Sequence, residues 1–519
     1  MQTKKHLVLF CIIAYMLLFI RPILSEQFDN NNLTSKQSNT TTTRRALILT
    51  CDTFINHPDT SGASKQNGDE INRIFADEEL DINEVYNYHD TIGNEETFRY
   101  IISNTFKDSK PDDINYIYIS THGLYINETD QASLVFSNGN EEFSLDAEII
   151  EEAFKDVKGT HFFIIDACNS GALIGRGISG GSSKSTFYGD RFKIICSSGG
   201  SEDSWYWSSS GDGSLVLQGA GYFSSALARA LSKENNYPAD LNRDENISLF
   251  ELYNYLYYNH APSVPQVYPY GDNFSIFTYS KQNIVRDEHI SNLTFETTVI
   301  SSNNPYVSFN FIVEKPIIPV YQIVYFENGK WQFNKAQFIY DIASRTNQEG
   351  VYNNLRPGLY NRKISINHSG SGGYALIYVH QLSGKTMRFI SGKVLSVLPD
   401  DGLEKVQVMT DTAFQPLYGQ ELPITIQHNV PCLMDINIVD NNGNLINTIK
   451  YNEPTRPQNL LPKGSTFVWN GKDNMGNFAK PGMYSVSISC KLPKQTVSFS
   501  SKPFELLESK IPIGLINNN

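Results

Sequence analysis

The chain opens its ordered part with a short apolar run, Ala46 to Cys51 (ALILTC), that stops at Asp52. A run of that length with no alternation is the pattern of a strand covered on both faces. Asn67 to Ala76 then places Ile71, Ile74 and Phe75 at helical spacing, and a second strand is expected near Val85 to Tyr88. A helix is expected over Glu95 to Phe106, and a third strand, Ile114 to Ser120 (INYIYIS), ends on Thr121-His122-Gly123. A hairpin follows, with Ser133 to Phe136 and Phe143 on its arms and Ser137-Asn138-Gly139-Asn140 at its turn. Ser144 to Ala147 caps the next helix, striped by Ile149, Ile150 and Phe154. The fourth strand, His161 to Ile165, leads into Asp166-Ala167-Cys168-Asn169-Ser170-Gly171, and the fifth, Phe192 to Cys196, into Ser197-Ser198-Gly199-Gly200. Helices are expected over Tyr222 to Leu231 and Leu249 to Tyr258. This alternation predicts a mostly parallel α/β sheet between helices over residues 45–283. Such sheets collect their chemistry at the carboxyl ends of the strands, where His122 and Cys168 both stand.

Beyond about residue 283 the helical spacing disappears. Short aromatic and β-branched runs separated by Asn, Gly and Pro turns predict two β-sandwich domains, over 284–400 and 401–510. At the other end, Lys4 and Lys5 precede the apolar run Leu7 to Ile20, and Ser25 offers a small residue for cleavage before Glu26. Residues 1–25 therefore read as a signal peptide, and the Asn- and Thr-rich stretch 26–44 as a flexible linker. The expected location is outside the cytoplasm: secreted, periplasmic or at the cell surface.

Composition narrows the partners. Hydrophobic residues make up 40% and charged residues 19%, enough for sizeable cores. A formal charge of −13 without a basic block sets nucleic acid aside, because phosphate binding needs clustered Lys and Arg. Without Cys11 of the signal segment, Cys51, Cys168, Cys196, Cys432 and Cys490 remain. An odd number in an exported protein points to one thiol kept free.

A nucleophilic thiol needs an imidazole delivered to the same sheet edge to carry its proton. Here one strand delivers His122-Gly123 and another delivers Asp166-Ala167-Cys168, with Gly123 and Gly171 permitting close turns. The backbone N–H groups of Gly123 and Cys168 are the candidate oxyanion donors. This order, a strand ending in His-Gly and a later strand ending in Asp-Ala-Cys-x-Ser-Gly, resembles the caspase-like peptidases: caspases, metacaspases, legumains and clostripain. The resemblance covers residues 44–280 and includes Gly221-Tyr222-Phe223-Ser224 to Ala230-Leu231. It implies peptide-bond hydrolysis by Cys168 with His122, on protein or peptide substrates. It also implies an S1 pocket in which Asp166 selects Arg or Lys, as the matching acid does in metacaspases and clostripain-like enzymes. Asp69 resembles a second S1 acid of metacaspases, and Ser197, Ser198, Glu202 and Asp203 fall where the family builds another pocket wall. Caspases proper carry Gln in place of Asp166, and legumains carry an acid yet prefer Asn, so an Asn-specific peptidase stands as the alternative. A non-catalytic surface-binding protein on the same scaffold is the other.

Gly177-Ile178-Ser179-Gly180-Gly181 fits the serine-hydrolase elbow but lacks the strand before it and the helix after it. Asp240, Asn242, Asp244 and Glu251 have calcium-loop spacing, but Glu245 stands where such loops need Gly. Ser248 to Glu251 is also a capping box, and no cofactor is expected. The Gly/Ser-rich loop 175–191 holds Arg176, Lys184 and Arg191 and is a candidate for self-cleavage. Finally, Phe467 to Gly476 with Pro481-Gly482-Met483-Tyr484 resembles bacterial Ig-like repeats of the flagellar hook-cap type.

Overall fold

A computed structural model describes residues 42–508 except 127, 179–186, 188–190, 207–215, 219–220, 234–236, 243, 260–261, 281–288, 298, 329, 333–334, 343–353, 367–371, 384–385, 417–420 and 458–463. The expected signal peptide, nearly all of the linker, Ser179 and Lys184 lie outside the described residues.

The first half builds β1 (Arg44–Thr50), α1 (Ala63–Phe75), β2 (Glu84–His89), α2 (Glu95–Phe106) and β3 (Ile114–Ser120). Then come β4 (His122–Ile126), β5 (Gln131–Ser137), β6 (Glu142–Leu145), α3 (Ala147–Phe154) and β7 (Thr160–Asp166). After a 3-10 turn at Ser170–Ile174 follow β8 (Phe192–Cys196), β9 (Val216–Gln218), α4 (Tyr222–Ala230), β10 (Asn246–Ser248), α5 (Leu249–Asn259), β11 (Gln266–Tyr268) and β12 (Ser275–Thr278). The main sheet runs β11-β8-β7-β3-β1-β2. Its five core strands are parallel, and β11 closes the β8 edge antiparallel.

Every residue of β3 is buried because both faces of the sheet are covered. Alternate strand residues go to opposite sides. Ile48, Tyr116, Tyr118 and Ile164 pack with Ile71, Ile74 and Phe75 of α1 and with Leu227 and Leu252 of α4 and α5. Leu47, Leu49, Ile117, Ile119 and Phe163 pack with Phe98, Ile101 and Ile102 of α2 and with Ile150 and Phe154 of α3. Asn94 caps α2 by accepting from Thr97 N (2.9 Å), and Asp146 caps α3 by accepting from Ile149 N (2.8 Å). Ser144 is not part of the α3 cap; it lies on β6, which joins β4 and β5 in a small antiparallel sheet.

Within the calcium-spaced segment, Ser248 and Glu251 form a capping box. Ser248 N and Oγ donate to Glu251 Oε2 (2.9 and 2.8 Å), and Glu251 N donates back to Ser248 Oγ (3.2 Å). Glu245 adopts the left-handed conformation (φ 70°) that a glycine would otherwise supply.

The second half contains strands alone among its described elements. Ile290, Phe309 and Phe311 of one sheet share an apolar cluster with Tyr321, Ile377 and Val379 of a second. A further pair of sheets closes over Ile424, Ile436, Trp469, Val486, Ile488 and Phe504. Both all-β units touch the α/β half. Tyr222 at the start of α4 stacks on Tyr378 of the strand Gly373–Ser383 (centroids 4.6 Å, 25°), and Trp205 packs into the same cluster. β9 pairs in parallel with Thr386 to Arg388. Tyr257 of α5 donates to Glu453 Oε1 (2.9 Å) beneath the Arg456 guanidinium, 4.5 Å from its ring.

Candidate active site

The carboxyl edge of the sheet is where the two expected reacting groups arrive. His122 leaves β3 and opens β4, and Cys168 follows β7 two residues past its end. The meeting is backbone on backbone: a Cβ built on Gly123 would overlap the carbonyl oxygen of Cys168. Only glycine permits that approach, so the His-Gly pair is a steric requirement for seating the histidine strand against the cysteine turn.

His122 is held from behind. Its Nε2 lies 2.7 Å from the carbonyl oxygen of Pro58, and the Phe54 ring tilts against it at 4.5 Å. A carbonyl accepts but never donates, so it selects the Nε2–H tautomer and leaves the Nδ1 lone pair available for a proton. The loop carrying Phe54 and Pro58 is irregular yet pinned by acids. Asp90 Oδ1 accepts from Asp52 N (2.7 Å), and Asp59 Oδ1 accepts from Phe54 N (3.0 Å). Asp52 accepts from Ser64 N and Lys65 N (2.9 and 2.8 Å), filling the N-terminus of α1, which has no side-chain cap of its own.

The Cys168 thiol donates to the carbonyl of Ser204 at 3.6 Å. Burial, reinforced by the charges of Asp203 and Asp166, pushes it up to about 12. At neutral pH Cys168 therefore rests as a neutral thiol. The turn beyond it is equally fixed: Asn169, in the left-handed conformation (φ 56°), donates from its N–H to Glu202 O (2.8 Å), and Gly171 N donates to Ser198 O (3.0 Å).

Asp166, the last residue of β7, is nearly inaccessible. Ser204 Oγ donates to its Oδ1 (2.8 Å), while Ser224 Oγ (2.5 Å) and Asn67 Nδ2 (3.3 Å) donate to its Oδ2. Burial pushes this carboxyl up, and the Ser224, Ser204 and Ser197 hydroxyls only partly offset it. Asn67 also accepts from Gly221 N, joining α1, β7 and the start of α4. The other expected pocket residues are placed differently. Asp69 faces solvent on α1 and pairs with Lys65 (3.2 Å), away from Asp166. Ser197 and Ser198 are fully buried and donate to the carbonyl of Ala167 (3.3 and 2.9 Å), supporting the turn that carries Cys168. Asp203 is exposed beside Cys168, and Glu202 Oε2 accepts from Gly199 N (3.1 Å) and Val264 N (2.9 Å).

Pro58, Asn67, Ser204 and Ser224 were not found by sequence reasoning. Asn67 left a usable signal, since it stands one turn before Ile71 on the buried stripe of α1. Of the three basic residues in the loop 175–191, Arg176 is buried and Arg191 donates to the carbonyl of Phe154 (2.9 Å). The segment before Gly177 is a 3-10 turn, so the strand that a serine elbow requires is not there. Among the described residues no group of three or more His, Cys, Asp and Glu is arranged to hold a metal ion. No described helix is long and apolar enough to cross a membrane.

No family model matches the chain, and no curated protein does. Solved structures similar to parts of it include caspase-1 from Spodoptera frugiperda, with 16% identity over 44% of this chain and 89% of that one, at a TM-score of 0.29. Protein GSU0716 from Geobacter sulfurreducens matches with 13% identity over 44% of this chain and 92% of its own, at a TM-score of 0.30. Dimeric latent PorU from Porphyromonas gingivalis matches with 13% identity over 45% of this chain and 22% of its own, at a TM-score of 0.18. At these scores the likenesses carry no weight, and the chemistry has to be argued from the residues themselves.

Proposed function

We propose that the protein is an exported cysteine endopeptidase in which Cys168 attacks the scissile carbonyl and His122 takes its proton. The observation that carries this reading is the approach of Gly123 to Cys168, which seats a tautomer-selected histidine beside the turn that bears the thiol. Because the thiol is neutral at rest, attack and proton transfer to His122 proceed together, without a standing thiolate. Sγ bonds to the carbonyl carbon, the thiol proton passes to imidazole Nδ1, and the leaving amine receives it. Water then releases the acyl group and restores the thiol.

Asp166 supports a preference for Arg or Lys at P1. Burial holds the thiol up most, and the charges of Asp203 and Asp166 add to it. A cationic side chain entering above Asp166 offsets that field, so the correct substrate lowers the barrier to deprotonating its own nucleophile. The Asn-preferring alternative draws on the likeness to legumains, which carry an acid before the cysteine and yet prefer Asn.

The test is hydrolysis of short peptides with Arg, Lys, Asn or Asp at P1 by the wild type and by Cys168→Ala. Cleavage after Arg or Lys that disappears in the variant supports both mechanism and pocket. Cleavage after Asn keeps the mechanism and replaces the pocket assignment. Hydrolysis that persists in Cys168→Ala rejects the nucleophile.

A further inference from the structure

We propose that Glu142 is a positioning residue of this centre, holding the Pro58 carbonyl against His122 from the third strand of the sheet that carries the histidine. The inference rests on the peptidase reading for its role and on geometry for its content. The loop segment 55–57 has no regular structure and little packing, and Ile55 is 49% exposed. Glu142 grips it four times. Its Oε2 accepts from Ile55 N (2.7 Å) and Asn56 N (2.9 Å), and its Oε1 accepts from Asn56 Nδ2 (3.1 Å) and lies 3.0 Å from His57 Nδ1. The next residue is Pro58, whose carbonyl meets His122.

The two ends of this arrangement share one frame. His122 pairs with Val135 of β5, and Ser137 of the same strand pairs with Glu142 of β6. The histidine and the carboxylate that fixes its backbone partner therefore move together. Burial of Glu142 raises its carboxyl, but the N–H groups of Asn56 and Ile55, with the Asn56 amide and His57, hold it down at about 2. The grip is thus anionic throughout the neutral range. His57 stands 5.9 Å from the His122 ring, so the same carboxylate also anchors the neighbouring imidazole. Without Glu142 the exposed segment loses its fixed acceptor, Pro58 drifts, and His122 loses its preference for the Nε2–H tautomer.

The experiment compares wild type, Glu142→Ala and Glu142→Gln by steady-state kinetics and by heteronuclear NMR of histidine-labelled protein. In Glu142→Ala, kcat is expected to fall roughly 100-fold with KM little changed, as for a misplaced group outside the substrate's contacts. Glu142→Gln should fall between, because its amide oxygen still accepts from the loop N–H groups. The His122 signals should change from a single Nε2–H tautomer to a mixture in Glu142→Ala. An unchanged His122 tautomer overturns the proposal, as does a loss confined to thermal stability with full kcat in the folded fraction. Wild-type protein that hydrolyses no peptide overturns the peptidase reading instead, while the tautomer measurement still decides what Glu142 holds.

Discussion

Arg176 and Glu421 form an ion pair across 245 positions of sequence, with side chains only 8% and 4% exposed. Arg176 belongs to the turn that follows Cys168: its N–H donates to Gly171 O (2.8 Å), and its carbonyl accepts from Gly200 N (2.9 Å). Glu421 belongs to the last all-β unit and also accepts from Tyr270 N (2.9 Å). Removing one partner strands the other charge, a loss of about 3–5 kcal/mol. Glu421→Ala is expected to lower the unfolding free energy by that order and to reduce kcat, read by denaturant titration and peptide hydrolysis. The double replacement Arg176→Met with Glu421→Leu should recover most of the stability. Burial in this pair also removes Arg176 as a site of self-cleavage in the resting protein.

Gly123→Ala should abolish activity. The atom its Cβ would meet is a backbone oxygen, so no side-chain rotation relieves the overlap. The strand must withdraw, taking His122 with it. Hydrolysis should vanish while Cys168 stays alkylatable, which separates a displaced histidine from an unfolded protein.

Thiol chemistry should single out Cys168. Cys51, Cys196, Cys432 and Cys490 are fully buried, and all five described cysteines are free. Iodoacetamide followed by peptide mapping is expected to label Cys168 alone in native protein. Because its thiol is pushed up to about 12, the rate should keep climbing through alkaline pH without a plateau near neutrality. A plateau in the acid range would indicate a standing thiolate and reject the neutral-thiol mechanism.

Acid should destabilise all three parts of the molecule. His161 and His380 are lowered by burial to about 3, and His428 to about 4. Each titrates near 6.5 once unfolded, so the unfolded chain binds more protons as pH falls. Stability is complete above about 6.5 and is lost progressively below it, down toward the folded values. His161→Phe, set among Phe154 and Phe192, should flatten the dependence between about pH 7.5 and pH 5 in denaturant titrations.

The α/β pattern and the arrival of His122 and Cys168 at one edge were legible because buried parallel strands write themselves as unbroken apolar runs ending in Gly-rich turns. The acid-centred network was not. Asn67, Ser204 and Ser224 come from three elements and converge on Asp166 only in space. Asp69 illustrates the difficulty: two positions along a helix turn it by about 200°, so if residue 67 points inward, residue 69 points out. The strand His122–Ile126 was also missed, because five residues (HGLYI) are too few to show an alternation and the strand is held by its pairing with β5. The Pro58 carbonyl is invisible to any reading of side-chain types.

The stack of Tyr222 on Tyr378 makes the α/β half a poor candidate for transplantation. Tyr222 N donates to Trp205 O (3.1 Å), next to the Ser204 that contacts both Cys168 and Asp166. Cutting the chain after β12 would leave those rings against water beside Ser204. A lineage or an engineer wishing to free this domain would have to rebuild that rim before separating the parts, and substitutions in the neighbouring unit would be felt at Cys168 and Asp166.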